Sequence, residues 1–169
     1  MTLHSQRLTR VLPYDPDELF KLVGDVESYP QFVPWVSALR TWNRREPEPG
    51  VTVLDAEAKV GFAIIRETFA TRVRRNANDR TIEVGLLYGP FRQLRNHWTF
   101  LPTPGGTRIE FEIDFEFKSR MLDALLSANM SHAAEKVVNC FDARAETLFG
   151  PGATRSPDPV EDPSATQDA

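Results

Sequence analysis

The hydrophobic pattern of residues 107–149 constrains the fold more than any other part of this sequence. From Arg108 to Phe117, apolar and charged side chains alternate without a break, as in a β-strand with one buried and one solvated face. From Ser119 onward, the stripe of an amphipathic helix follows, with apolar residues at positions 122, 125, 126, 130, 133, 137, 141, 145 and 148. We therefore expect one unbroken helix from Ser119 to Phe149, which covers the apolar face of a sheet.

Six further strands are predicted upstream, at residues 4–12, 36–46, 51–62, 64–75, 80–88 and 93–101. The connectors between strands two to seven are short and carry turn signals such as Gly89-Pro90, which favours antiparallel hairpins. After the first strand, Asp15 is suited to cap a short helix, Pro16 to begin it and Gly24 to end it. This order predicts an α+β fold, a curved seven-stranded antiparallel sheet around a long C-terminal helix. A curved sheet meets a helix closely only along a strip, so the remaining space is filled by large side chains or left as a cavity.

The segment YPQFVPW, residues 29–35, holds three aromatic residues and two prolines. Its prolines argue against a helix or a central strand, and its apolar area is large for a solvated loop. Two interpretations are open and compatible with each other. The aromatics pin the connector to the core, or the segment forms a stiff apolar lip over an open end of the sheet.

The domain is predicted to span residues 1–149. The segment 150–169 contains four prolines, no aromatic residue and a net charge of −3, which is typical of a disordered acidic tail. The rest of the chain is nearly neutral, so bulk attraction to nucleic acid is not expected. A single cysteine, Cys140, excludes an internal disulfide and favours a reducing, cytoplasmic location, and no apolar run is long enough to span a membrane.

Motifs for catalysis are scarce in this sequence. His4, His97 and His132 are far apart and have no metal-ligand spacing, and no nucleophile elbow, phosphate-binding loop or dinucleotide fingerprint occurs. Cys140 lies in the helical stripe and is expected to be a small buried hydrophobe. We therefore expect neither a metal, nor a cofactor, nor an enzymatic reaction.

Four segments together resemble the coenzyme Q-binding START-like family: YPQFVPW, VGFAIIRETFATRV at 60–73, GPFRQLRNHWTF at 89–100, and IDFEFKSRMLDALL at 113–126. The resemblance covers residues 3–149 in the same order and spacing. It implies a helix-grip fold whose cavity holds a polyprenyl quinone such as ubiquinone as a bound ligand, without a chemical step. Similar bacterial proteins are described as ribosome association toxins or as polyketide cyclases. One departure is Val36, which follows Trp35 where many family members have cysteine.

On this basis we expect a narrow, apolar ligand site. Phe32, Val33 and Trp35 are expected to gate it. The expected lining comprises Val60, Phe62, Phe91, Asn96, Trp98, Phe100, Phe111, Phe115, Leu122, Leu126 and Met130. For the aromatic and leucine positions, ordinary core packing is the alternative. Among the helix positions, Met130 is the residue best suited to touch a ligand, because thioethers adapt to irregular apolar shapes.

Two polar residues share the apolar phase of their strands. Glu67 is in phase with Ile65, and we expect it to form a salt bridge at the sheet edge with Arg95. Asn96 needs a partner because an unpaired buried amide is costly, and a quinone carbonyl is one candidate. Glu67 and Asn96 could instead polarise a cyclisation substrate.

Arg72, Arg74, Arg75 and Arg80 crowd one hairpin end. This cluster is either a solvated turn or a contact for a membrane surface or ribosomal RNA, because guanidinium groups favour phosphate. The expected partners are a polyprenyl quinone and respiratory or quinone-biosynthesis complexes at the inner face of the membrane, with the ribosome as the alternative.

Overall fold

A computed structural model describes residues 2–62 and 64–150. The predicted acidic tail lies outside the described residues, except for Gly150. The elements, in chain order, are β1 His4–Leu12, α1 Pro16–Gly24, a 3-10 helix Val26–Gln31, β2 Val36–Glu48, β3 Val51–Phe62, β4 Ile65–Asn76, β5 Thr81–Tyr88, β6 Phe91–Thr103, β7 Gly106–Phe117, α2 Arg120–Met130 and α3 Ala133–Phe149.

The seven strands form one antiparallel sheet in the order β1-β7-β6-β5-β4-β3-β2. Strands β2 to β7 are joined in sequence as antiparallel hairpins. The last strand, β7, also pairs with the first strand, β1, so that His4 lies opposite Phe115. The predicted α+β helix-grip fold is confirmed, and each predicted strand differs from the observed one by at most two residues at either end. Period-two alternation found the strands because each one has a face that packs on the core.

Helix α1 closes one end of the sheet. The Asp15 carboxylate accepts hydrogen bonds from the backbone N–H groups of Asp17 and Glu18, at 3.0 and 3.1 Å, so the predicted cap is present. Leu19 is completely buried, and the ring of Phe20 meets that of Phe100 edge to face. The main core therefore lies between α1, α3 and the strand ends nearest α1.

The C-terminal helix is broken at Ser131 and His132, so the prediction of one unbroken helix is wrong. The side-chain amide of Gln6 in β1 donates to the carbonyl of Met130 and accepts from the N–H of Ala134. Those two backbone groups would bond to each other in a continuous helix. The break thus has a local cause, a side chain inserted into the helical ladder.

The connector also differs from expectation, because residues 29–31 end a 3-10 helix that contains Pro30. A helix this short has few backbone hydrogen bonds to lose, which makes the missing N–H of proline tolerable. The Tyr29 hydroxyl donates to the carbonyl of Val23, and its ring packs edge to face on Phe141. The predicted pinning of the connector by aromatics is present at Tyr29.

Candidate functional site

A cavity of about 350 Å³ lies between the concave face of the sheet, the connector and helices α2 and α3. Its size falls within the range of small-molecule sites in proteins. Ala56 and Ala58 of β3 leave space where larger side chains would reach across, and the helices pack mainly against β1 and β7 rather than β3 and β4. Apart from Glu67, Thr71, Asn96, Lys136 and Cys140, the lining side chains are aliphatic or aromatic, or belong to glycine or proline.

Most of the predicted site residues line this cavity. They are Val33, Trp35, Val60, Phe62, Phe91, Asn96, Trp98, Phe111, Phe115, Leu122, Leu126 and Met130. Whether they contact a ligand remains a prediction.

Phe32 and Phe100 are not part of the lining, which corrects two of the expectations. Phe100 is 1% exposed and lies deeper, under Phe20 of α1. The Phe32 ring turns toward α3, where it packs on Phe141 and lies 5.1 Å from the Arg144 guanidinium. For Phe100, the strand pattern specifies a face of the sheet and not a position along it. Phe32 belongs to the connector, where no strand or helix period predicts which way a ring turns.

Several lining residues were not among the predicted ones. Those on β4, β5 and α3 include Ile65, Phe69, Val73, Ile82, Val84, Val137 and Phe141. A usable signal exists for β4, since Ile65, Phe69 and Val73 share the phase of Glu67. Extending this phase across the paired strands would have found the β5 residues too, because Val73 lies opposite Val84.

Asn96 places a polar group deep in the cavity. Its Oδ1 is buried and has no hydrogen-bond partner within residues 2–62 and 64–150. Across the sheet, Asn96 aligns with Val84 and Val84 aligns with Val73. An unpaired buried amide oxygen costs about 1–3 kcal/mol, so a ligand that bonds it gains that amount.

Glu67 is half-buried and lines the cavity nearer the β3–β4 turn. The expected salt bridge with Arg95 is absent, because Arg95 points to the convex face and pairs with Asp114 at 3.0 Å. No other ion pair or side-chain hydrogen bond of Glu67 occurs in the described part of the chain. Since Glu67 precedes Val73 by six residues, it lies about 20 Å along the strand from the level of Asn96.

The cavity opens where the connector and the β3–β4 hairpin face the helices. Phe62 and Lys136 are exposed lining residues, and Trp35 and Ile65 are half-buried there. The Trp35 carbonyl accepts a hydrogen bond of 2.9 Å from the Gly61 N–H, which fixes the connector to the hairpin. At the opposite end, Ile82 and Val26 are buried beneath α1, so that end is closed.

Two titratable groups of the lining, Cys140 and Tyr29, have pKa values that burial raises. Burial raises the pKa of the Cys140 thiol above its ordinary value, which keeps the thiol protonated at neutral pH. Burial also raises the pKa of the Tyr29 hydroxyl, so this group stays protonated and donates to Val23. Neither group is an activated nucleophile.

The arginine cluster of the β4–β5 hairpin is largely neutralised by ion pairs. Arg72 donates to both carboxylate oxygens of the buried Asp55, at 2.8 and 3.2 Å. The remaining contacts are Arg74 with Glu48 at 3.4 Å, Arg80 with Asp17 at 2.7 Å, and Arg75 with the Gly24 carbonyl at 2.8 Å. The structure does not present these side chains as an unpaired basic patch.

The described residues lack the features of two other functional classes, metal sites and membrane-spanning helices. No group of three or more His, Cys, Asp or Glu side chains there could hold a metal ion. None of the helices described is both long and apolar enough to cross a bilayer.

Residues 12–142 match the family model described as polyketide cyclase / dehydrase and lipid transport. The chain is 34% identical to the ribosome association toxin RatA of Rickettsia prowazekii, over 83% of this chain and 95% of that protein. It is 29% identical to the mitochondrial coenzyme Q-binding protein coq10 of Schizosaccharomyces pombe, over 85% of this chain and 88% of that protein.

Solved structures of other proteins also resemble this chain. The 18 kDa protein CC1736 of Caulobacter crescentus is 55% identical and superposes with a TM-score of 0.73, over 88% of this chain and 99% of that one. A START superfamily protein of Mycobacterium smegmatis, 20% identical, gives a TM-score of 0.67 over 86% of this chain and 98% of that one. The second likeness concerns the fold alone, and it identifies the helix-grip architecture as START-like.

Proposed function

Because this chain belongs to the polyketide cyclase / dehydrase and lipid transport family, we propose that its cavity binds ubiquinone or a related polyprenyl lipid without a chemical step. The observation that carries the proposal is the cavity itself, about 350 Å³ with an almost wholly apolar lining. Burying a hydrocarbon tail there stabilises the complex by roughly 25 cal/mol per Å², before the cost of association.

The proposed orientation places the headgroup at Asn96 and the tail toward Phe62. Asn96 supplies an amide at the closed end of the cavity, whereas the lining between it and the opening is mainly apolar, with Glu67 and Thr71 of β4 as polar members. The amide N–H₂ can donate to a quinone carbonyl, and Oδ1 can accept from a hydroxyl of the reduced quinol. The tail then leaves by the open end, past Trp35 and Phe62.

A cyclase-like reaction is less well supported. General acid–base catalysis needs its groups within hydrogen-bond reach of the same reacting atoms. Glu67 and Asn96 lie at levels of the sheet about 20 Å apart, so they cannot act on one small substrate together. We therefore propose a binding protein without a cofactor, which presents the lipid to respiratory or quinone-biosynthesis complexes at the cytoplasmic face of the membrane. The coq10 relative, whose name includes coenzyme Q binding, supports the same ligand class.

A second candidate function is association with the ribosome, which the RatA relative favours. The paired arginines weaken this candidate, because ion pairs compete with phosphate for the guanidinium groups. Charge reversal at Arg74 and Arg80 tests it without disturbing the buried Asp55. If the ribosome is the target, these two changes abolish co-sedimentation with ribosomal subunits and leave any bound lipid in place.

The lipid proposal is tested by organic extraction of the purified full chain and mass spectrometry of the extract. We expect a prenyl quinone in the wild type and its loss in Ala58→Phe, which fills the cavity. Ala38→Phe is the matched control, because Ala38 is exposed on β2. Absence of any prenyl lipid from the wild type, after expression in a quinone-producing host, contradicts the proposal.

A further inference from the structure

Large apolar side chains protrude into solvent beside the opening of the cavity. Ile64 at the β3–β4 turn is 90% exposed, and Phe62 before it is 37% exposed. On α2, Met121 and Leu125 are 70% and 52% exposed. We call these four residues the rim patch.

The two halves of the rim patch belong to elements that touch. Ile65, the first residue of β4, packs against the cluster that Leu126 of α2 forms with Phe115 and Phe117 of β7. Phe62 and Leu126 also line the same cavity. The rim patch therefore borders the opening on both sides.

Helix α2 is apolar on two faces. Leu122, Leu126 and Met130 point to the cavity, whereas Met121 and Leu125, one turn apart, point outward. An ordinary surface helix keeps its outer face polar. Clustered exposed aliphatic residues of this kind mark an interaction surface.

Cationic side chains surround the rim patch. Lys118 and Arg120 are exposed at the start of α2 and form no ion pair with any residue that the structure describes. Arg66 is exposed next to the hairpin tip, and the N-terminus of α2 adds its partial positive charge. The nearby acids are engaged or turned inward, since Asp123 bonds to His4 at 2.8 Å and Glu67 lines the cavity.

We infer that the rim patch docks the protein on anionic lipid bilayers, with the aliphatic tips among the acyl chains and the cations at the headgroup phosphates. The inference rests on the proposed function for the identity of the lipid that enters, but not for the docking itself. Apolar tips within a cationic border match the layering of a bilayer interface. In this orientation the cavity opens toward the acyl chains, so a polyprenyl tail passes into it without crossing water.

RNA and protein partners fit the rim patch less well. RNA phosphates would satisfy Lys118 and Arg120 but would leave Ile64 and Leu125 in water. A protein partner would cover the apolar tips, but it would not explain why the cavity opens between them.

The test is co-sedimentation of the full chain with quinone-free vesicles of phosphatidylcholine and phosphatidylglycerol at low salt. We expect the wild type to sediment, and Leu125→Glu to reduce the partition coefficient roughly tenfold or more. Leu148→Glu is the matched control, because Leu148 is also 52% exposed but lies near the end of α3. Lys118→Glu with Arg120→Glu should remove the preference for phosphatidylglycerol, whereas Arg74→Glu with Arg80→Glu should not.

Each result separates docking from lipid binding. If wild type and Leu125→Glu sediment equally, the rim patch is not the docking surface. The same conclusion follows if Leu148→Glu loses as much sedimentation as Leu125→Glu. A wild type that fails to sediment but yields a prenyl quinone on extraction overturns docking and leaves the proposed function standing. A wild type that sediments as expected but yields no prenyl lipid supports docking and contradicts the proposed function. Sedimentation with ribosomes instead of vesicles, lost in the same variants, also overturns the inference.

Discussion

The two ends of the sheet are built from the same kind of strand but differ in what covers them. At the end under α1, Leu19 and Phe100 are buried, and Arg80 is paired with Asp17. At the other end, Ile64 is exposed and Lys118 has no ion pair among the described residues. The closed end has the packing of a folding core, and the open end has the properties of a binding surface.

This difference changes how basic residues in such a sequence should be interpreted. The most conspicuous arginine cluster lies at the closed end, where Asp55, Glu48 and Asp17 are its partners. At the open end, Lys118 and Arg120 lie two positions apart in sequence and have no ion pair among the described residues. The density of positive charge in the sequence is therefore a poor guide to which surface attracts an anion.

The largest expected effect is a loss of stability at the closed end of the sheet, which can be compared with the effect of a substitution at the open end. Phe100→Ala removes a fully buried ring and should lower the free energy of unfolding by about 3–5 kcal/mol. Phe62→Ala, at the open end, should change it by less than about 1 kcal/mol, because Phe62 is partly exposed already. Denaturant unfolding followed by circular dichroism measures both. Similar losses in the two variants would contradict the division between a core end and a binding end.

A second prediction concerns the ion pair of the convex face, in which half-exposed Arg72 bonds buried Asp55. Two hydrogen bonds from Arg72 hold the pKa of the Asp55 carboxyl below its ordinary value, against the effect of burial. The pair therefore stabilises the fold above the unfolded pKa of about 3.9, and this stability is lost as pH falls through the lower folded pKa. Asp55→Asn should be less stable than wild type at pH 7, with the difference disappearing in acid. A difference that is constant from pH 7 to pH 2 would rule out this role.

A third prediction separates two aromatic residues of the connector. Trp35→Ala should reduce retention of bound quinone several-fold without unfolding the protein, because Trp35 borders the cavity opening. Phe32→Ala should lower stability by about 1–3 kcal/mol and leave retention unchanged, because Phe32 packs on Phe141 instead. Quinone content per mole of protein and thermal unfolding are the two readouts. If Phe32→Ala loses as much quinone as Trp35→Ala, Phe32 also controls access to the cavity, although it does not line it.

The smallest expected effect is at Asn96. Asn96→Leu removes a buried amide oxygen that has no partner among the described residues, so stability should rise or stay within about 1 kcal/mol of wild type. Quinone affinity should fall by about three- to tenfold, since one hydrogen bond to the headgroup is lost. Titration of tryptophan fluorescence with a short-tailed quinone measures the affinity. A variant that binds as well as wild type would move the headgroup away from Asn96.

Local pattern predicted the strands and the α1 cap because each depends on neighbouring residues. The alternation in β7 and the Asp15-Pro16 start are of this kind. The broken helix was not predictable in the same way, because its cause is Gln6, more than a hundred residues distant in sequence. The hydrophobic period of a strand or helix assigns a residue to one of its faces. The position of that residue along the sheet is decided by strand register and by packing.

The site shows the same limit. Strand phase brought Trp98 and Phe111 to the cavity but could not distinguish Phe100, which shares their face and lies under α1. The arginine pairs depend on which strands lie side by side, as for Arg72 and Asp55 on β4 and β3. The sequence pattern therefore indicated which face of the sheet lines the cavity, but not how far along the sheet the cavity extends.

Protection of Cys140 tests lipid binding in the cavity most directly. Cys140 is the only cysteine of the chain and lines the cavity, so a thiol reagent reports on that space alone. Its raised pKa makes labelling at about pH 9 more practical than at neutral pH. We predict that a saturating short-tailed quinone slows labelling of wild type by about tenfold or more, and that Ala58→Phe shows no such protection. An unchanged labelling rate in wild type at saturation would mean that the lipid does not occupy the cavity.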